Sequence, residues 1–119
     1  MAAAIEAVGR GMARTGQTVG SDVEVQTVTQ AVEALDTGAR WITLDNMPVA
    51  EIGQVVKVRA GRADASRILL EASGTIRLDT VPAIAGTGVD LISVGALTHS
   101  APAPDLTMLL TTGPVPCAR

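Results

Sequence analysis

The chain has 119 residues, 47% of them hydrophobic and 18% charged, with a formal net charge of −3. That balance excludes a concentrated basic face for nucleic acid, and one Trp with no Phe or Tyr leaves little to stack on bases. No stretch approaches the roughly 18 apolar residues of a membrane helix, and the single cysteine, Cys117, lacks a partner for an internal disulfide, which points to a reducing cytoplasm.

A core without aromatics has to be built from Val, Ile, Leu, Ala and Met, residues suited to a parallel sheet covered by helices. Residues 2–14 place Ile5, Val8 and Met12 on one helical face. A linker rich in Gly, Thr and Ser runs from Thr15 to Ser21, and Asp22 to Gln26 is β-prone. Thr27 and Gln30 match a capping box that opens a helix carrying Ala31, Val32 and Leu35, and Gly38 closes it in the left-handed conformation. WITLD, residues 41–45, reads as a second strand. Asn46 and Pro48 punctuate the turn into a helix whose buried stripe is Ile52, Val55 and Val56.

A polar loop from Gly61 to Ser66 leads to a third strand, RILLEAS, residues 67–73. Asp79 is suited to cap the next helix, with Val81, Ile84 and Ala85 facing inward and Gly88 ending it. DLISVGA, residues 90–96, is the fourth strand. Beyond Thr98 the sequence is Pro-rich. Leu106 to Leu110 could form a short apolar element, and residues 111–119 read as a loose tail after a domain spanning 1–110. The strands recur at intervals of roughly 20–27 residues, enough for a right-handed βαβ crossover. Four such units fit either a small doubly wound sheet or about half of a (β/α)₈ barrel, which takes about 250 residues.

In parallel α/β folds chemistry gathers at the carboxyl ends of the strands. Glu24 lies between Val23 and Val25, so it faces away from them and, if they meet the helices, into the barrel. Asp45 falls at the end of the second strand. Two carboxylates there suit sugar hydroxyls or Mg²⁺, although a turn cap at Asp45 and a solvated edge at Glu24 carry equal weight on spacing alone. EASGTI (71–76) and SVGALTHS (93–100) follow the last two strands, where bare glycine amides and a short helix start can hold phosphate. A Ser73–His99–Asp45 triad is rejected because no nucleophile-elbow sequence surrounds Ser73. Met47 and Met108 are expected to fill core gaps, and Trp41 to pack under a helix.

DVEVQT, ITLDNM, LLEASGTI and TGVDLISVGALTHSAPAPDLTM occur in the order and spacing of quinolinate phosphoribosyltransferases, and the last is close to a family signature. The chain resembles that family from about Ala3 to Leu109. The resemblance implies an α/β fold, a partial barrel of the type II phosphoribosyltransferase class. It also implies an enzyme of NAD biosynthesis that joins quinolinate to phosphoribosyl pyrophosphate, releasing pyrophosphate and CO₂, with Mg²⁺ accompanying the donor. By position Glu24 and Asp45 resemble the catalytic acids near the ribose and metal. Ser73, Gly74 and Thr75 resemble the first phosphate turn, Val94, Gly95 and Ala96 the second, and His99 a residue beside it. A homodimer or higher homo-oligomer is implied for the full-length family.

The match has departures. Gln26 stands where the family often has an acid, Asp22 where it often has Glu, and Thr75 replaces the second glycine of a Ser-Gly-Gly turn, which puts a left-handed conformation there in doubt. The basic segments that line the family's quinolinate pocket have no counterpart here. Arg10, Arg14, Arg40, Lys57, Arg59, Arg62, Arg67 and Arg77 are expected away from the active rim. Three readings follow: a truncated enzyme inactive alone, a sugar-phosphate-binding module, or a structural half-barrel that needs a partner.

Overall fold

The computed structural model describes residues 2–16, 20–110 and 113. Four parallel strands form one sheet in the order β1-β2-β3-β4: β1 (Asp22–Val25), β2 (Trp41–Asp45), β3 (Leu69–Ser73) and β4 (Leu91–Ile92). Helices α1 (Ala2–Thr15), α2 (Val28–Asp36), α3 (Val49–Ala60), α4 (Val81–Ala85) and α5 (Ala96–His99) precede, link and follow them. A sequential parallel order is what short right-handed crossovers produce. The sheet is open, with β1 and β4 as its edges.

Local chemistry sets most element ends. The Thr27 hydroxyl caps α2 by accepting from the Gln30 N–H, while the Gln30 side chain accepts from Gln26 N–H, one residue before the expected partner of a capping box. Gly38, at φ 86°, ends α2, and Ala39 N–H reaches back to Ala34 O at 3.1 Å. That bond satisfies a carbonyl the helix leaves open. α4 ends earlier than expected, at Ala85 with Gly86 as its cap at φ −62°, so Gly88, also at φ 86°, turns the chain beyond the helix rather than closing it.

Period-two alternation sorts the strands into two faces. Register pairs Val23, Ile42 and Leu70 across the sheet, then Val25, Leu44 and Ala72. These residues face the helices, and Val25, Ile42, Leu44, Leu70 and Ala72 are at most 1% exposed. Ala31, Ala34 and Leu35 of α2, Ile52 and Val55 of α3 and Ile84 of α4 close the core over them. The alternate residues lie on the other face, which no helix among the described residues covers: Asp22, Trp41 and Leu69 in one layer, then Glu24, Thr43 and Glu71, then Asp45 and Ser73.

The structure corrects several sequence expectations. Trp41 does not pack under a helix: it stands on the open face, 38% exposed, and donates its Nε1–H to Glu71 at 2.9 Å. Strand parity put it there, because Trp41 shares the side of Thr43 rather than of Ile42. Asp79 does not cap α4. The Thr80 hydroxyl closes a turn on Arg77, and the helix starts after it. Ala85 is exposed, since a five-residue helix presents only Ile84 fully to the core. The fourth strand is two residues long, because past Ser93, whose N–H still bonds Ala72 O, the chain turns into α5. Val8 is exposed and Val32 and Val56 half-buried. Residues 106–110 form no regular element, and Met108 is 83% exposed. Met47 is buried as expected. Cys117, part of the linker at residues 17–19 and all of the tail except Gly113 lie outside the described residues.

Candidate active site

The open face concentrates the polar chemistry at its carboxyl end. Asp45 and Ser73 are register partners at the ends of β2 and β3, and Glu24 lies one layer lower on the edge strand β1. Asp45 is held from both sides: Gln26 Nε2 donates to Oδ2 at 3.1 Å and Asn46 Nδ2 to Oδ1 at 2.9 Å. An acid in place of Gln26 would face Asp45 with a like charge, so here the departure from the family pattern supplies a donor. Asp22, the other departure in β1, accepts both ways from the Thr43 hydroxyl at 2.9 Å, which satisfies the one buried polar side chain of the sheet. Glu24 is exposed and has no hydrogen-bond or ion-pair partner among the described residues. Its carboxylate is open to a ligand.

The two glycine turns meet as expected. Gly74, Thr75, Gly95, Ala96 and His99 line one cavity of ≈ 470 Å³ with Ile76, Arg77 and Ser100. Gly74 takes φ 101°, so the left-handed residue of the turn is a glycine and Thr75 does not need that conformation. A Cβ on Gly74 would also lie 2.7 Å from the Asn46 backbone nitrogen. Gly95 has a different reason to be bare: a Cβ there would come 2.9 Å from His99 Nε2. The His99 ring thus lies over the second turn, its Nδ1 2.7 Å from Ser100 Oγ. With α5 only four residues long, donors at this turn are individual amides rather than a helix dipole. Ser73 lines a neighbouring groove with Asn46 and Thr75. Val94 packs against the core and lines neither.

Three residues of the site carried no site role in the sequence reading. Arg77, expected away from the rim, lines the cavity and pairs only loosely with Asp79, 3.4 Å away and exposed. Three residues past the glycine turn, it was legible as a neighbour of that turn. Glu71 stands on the open face and accepts from Trp41 Nε1 and from the Ser93 hydroxyl. The alternation that oriented Glu24 applies equally to Glu71, which is flanked by Leu70 and Ala72. Asn46 joins Asp45 to Thr75, whose N–H and hydroxyl both donate to its Oδ1, at 3.0 and 2.7 Å. Nothing local marked that bond, which spans 29 residues.

Among the described residues no group of three or more His, Cys, Asp or Glu is placed to hold a metal ion. Glu24 and Asp45 offer two carboxylates on one face, a number that suits Mg²⁺ when substrate phosphates complete its shell.

The family model described as quinolinate phosphoribosyl transferase, C-terminal domain, matches residues 1–109. The probable nicotinate-nucleotide pyrophosphorylase (carboxylating) of Bacillus subtilis is 37% identical over 107 residues, covering 90% of this chain and 35% of the relative. The Mycobacterium leprae nicotinate-nucleotide pyrophosphorylase is 43% identical over 79 residues, covering 66% of this chain and 27% of that protein. The solved nicotinate-nucleotide pyrophosphorylase from Francisella tularensis superposes with a TM-score of 0.69 at 33% identity, covering 87% of this chain and 35% of that one. The chain thus spans about a third of the length of these relatives. On its fold, its glycine turns and these matches together, the chain belongs to the family of quinolinate phosphoribosyl transferase C-terminal domains.

Proposed function

We propose that this chain forms the ribose and phosphate side of a quinolinate phosphoribosyltransferase site in NAD biosynthesis. The observation that carries this reading is the convergence of Asp45 and both glycine turns at one end of the open sheet face. Amides of the turns and the Arg77 guanidinium hold the 5′-phosphate of the donor. Glu24 and Asp45 hold the ribose hydroxyls. Ribosyl transfer builds positive charge on the sugar as pyrophosphate departs, and carboxylates beside the ring stabilise that charge. Anchoring the phosphate converts its binding energy into placement of the reacting carbon. Bound together with phosphoribosyl pyrophosphate, Mg²⁺ would supply positive charge for the departing pyrophosphate, and Glu24 and Asp45 are the carboxylates that would hold it.

Quinolinate carries two carboxylates and needs several cations. Arg77 is the arginine that lines the glycine cavity, so the dicarboxylate pocket draws on basic residues outside the segment described. The exposed strand edges and the uncovered face fit a sheet completed into a barrel by further strands, within a cytoplasmic homo-oligomer. Among the described residues no helix is long and apolar enough to cross a membrane.

Calorimetry on the 119-residue chain tests the reading. Ribose 5-phosphate and phosphoribosyl pyrophosphate should bind and quinolinate alone should not, with no release of CO₂ from a mixture of the two substrates. Absence of binding by both sugar phosphates would overturn it.

A further inference from the structure

Asn46 occupies an unusual position between the two halves of the site. Its backbone lies at φ 53°, the one left-handed conformation among the described non-glycine residues, which costs about 1 kcal/mol. Glycine would adopt it at less cost. The residue is exposed, so burial does not call for its side chain. What asparagine adds over glycine is its set of bonds. Oδ1 accepts from Thr75 N–H and Thr75 Oγ1, and Nδ2 donates to Asp45 Oδ1. The Thr75 N–H can only donate, so it fixes which end of the amide faces the turn. The opposite end then points its N–H at Asp45. The Asn46 N–H also donates to Ser73 O at 3.0 Å, locking the backbone of both loops together. Gly74 is bare where the Asn46 amide lies against it.

We propose that Asn46 is a positioning residue that couples the Asp45 carboxylate to the Gly74–Thr75 turn, so that the sugar and phosphate halves of one ligand bind cooperatively. The proposal rests on the reading of this face as a ribose-phosphate site. A phosphate that orders the turn orders the amide plane, and the amide plane sets the carboxylate. Gln26 completes the placement from the other side.

Two measurements on the full chain test it, with Asn46→Gly, which keeps the backbone conformation accessible, and Asn46→Asp, which keeps an acceptor for Thr75 but sets a carboxylate against Asp45. First, without ligand, Asp45→Asn should move the Thr75 amide resonance in the otherwise unaltered chain and leave it in place in the Asn46→Gly background. Second, the preference for ribose 5-phosphate over inorganic phosphate should fall roughly 10-fold in both Asn46 variants, the lower end for losing one hydrogen bond to a charged group. A Thr75 amide indifferent to Asp45→Asn, or a preference that both variants retain, would overturn the coupling. Phosphate binding without any preference in the unaltered chain would overturn it too, leaving the phosphate site standing. Resonance coupling with no binding of either ligand would instead sink the ribose-phosphate reading, and the cooperative role with it.

Discussion

The two faces of one sheet obey opposite rules. On the helix side, Val25, Ile42, Leu44, Leu70 and Ala72 are almost fully removed from water and hold the fold together. On the other side, Asp22, Glu24, Thr43, Asp45, Glu71 and Ser73 stand with the half-exposed Trp41 and Leu69, and the polar groups among them are partnered by neighbouring side chains or by solvent. One backbone carries both, because a strand turns successive side chains to opposite sides. Stability is drawn from one face, which leaves the other to carry polar groups that contribute little to the fold and suit a ligand.

The largest test of that division is Leu70→Ala on the covered face. It should cost about 2–5 kcal/mol, read as a lowered midpoint or outright loss of the cooperative urea transition. Glu24→Gln on the open face should shift the same transition by less than about 0.5 kcal/mol. Similar costs for the two would abolish the contrast.

Next comes Gly74→Ala, which sits where the faces' rules meet. At φ 101° and against Asn46, an added Cβ should cost about 2 kcal/mol and weaken phosphate binding together with stability. Asp45→Asn should separate the two quantities. We expect about a 10-fold loss of ribose 5-phosphate affinity by calorimetry, with the melting transition nearly unmoved. Arg77→Ala should weaken inorganic phosphate binding about 3- to 5-fold and flatten its salt dependence, because an exposed cation acts through a screened field.

The smallest effect belongs to the pole of the molecule away from the site. A hydrogen bond from Arg40 holds the Asp64 carboxyl below its ordinary value. A depressed folded-state value stabilises above the unfolded value, and the contribution is lost as pH falls through the folded one. Asp64→Asn should therefore lower stability slightly at neutral pH and reduce its acid-side slope below about pH 4, seen in urea midpoints against pH.

Much of this division was legible before any coordinates. The strand at 41–45 and the left-handed glycines at 38 and 88 follow from local preferences and agree with the structure. Glu24 could be assigned to the face opposite Val23 and Val25 for the same kind of reason. Trp41 and Glu71 obey that alternation as well: parity, not residue type, decides which face each takes.

The sequence by itself determined the order of the βα units, the Thr27 cap of α2 and the two glycine loops, because each depends on bonds among residues a few positions apart. Only the tertiary structure decided that Gln26 steadies Asp45, that Asn46 reaches Thr75 and that Arg77 shares a cavity with His99. Those pairings are set by the register of neighbouring strands, which brings together residues 19 to 29 positions apart through hydrogen bonds that no local pattern encodes.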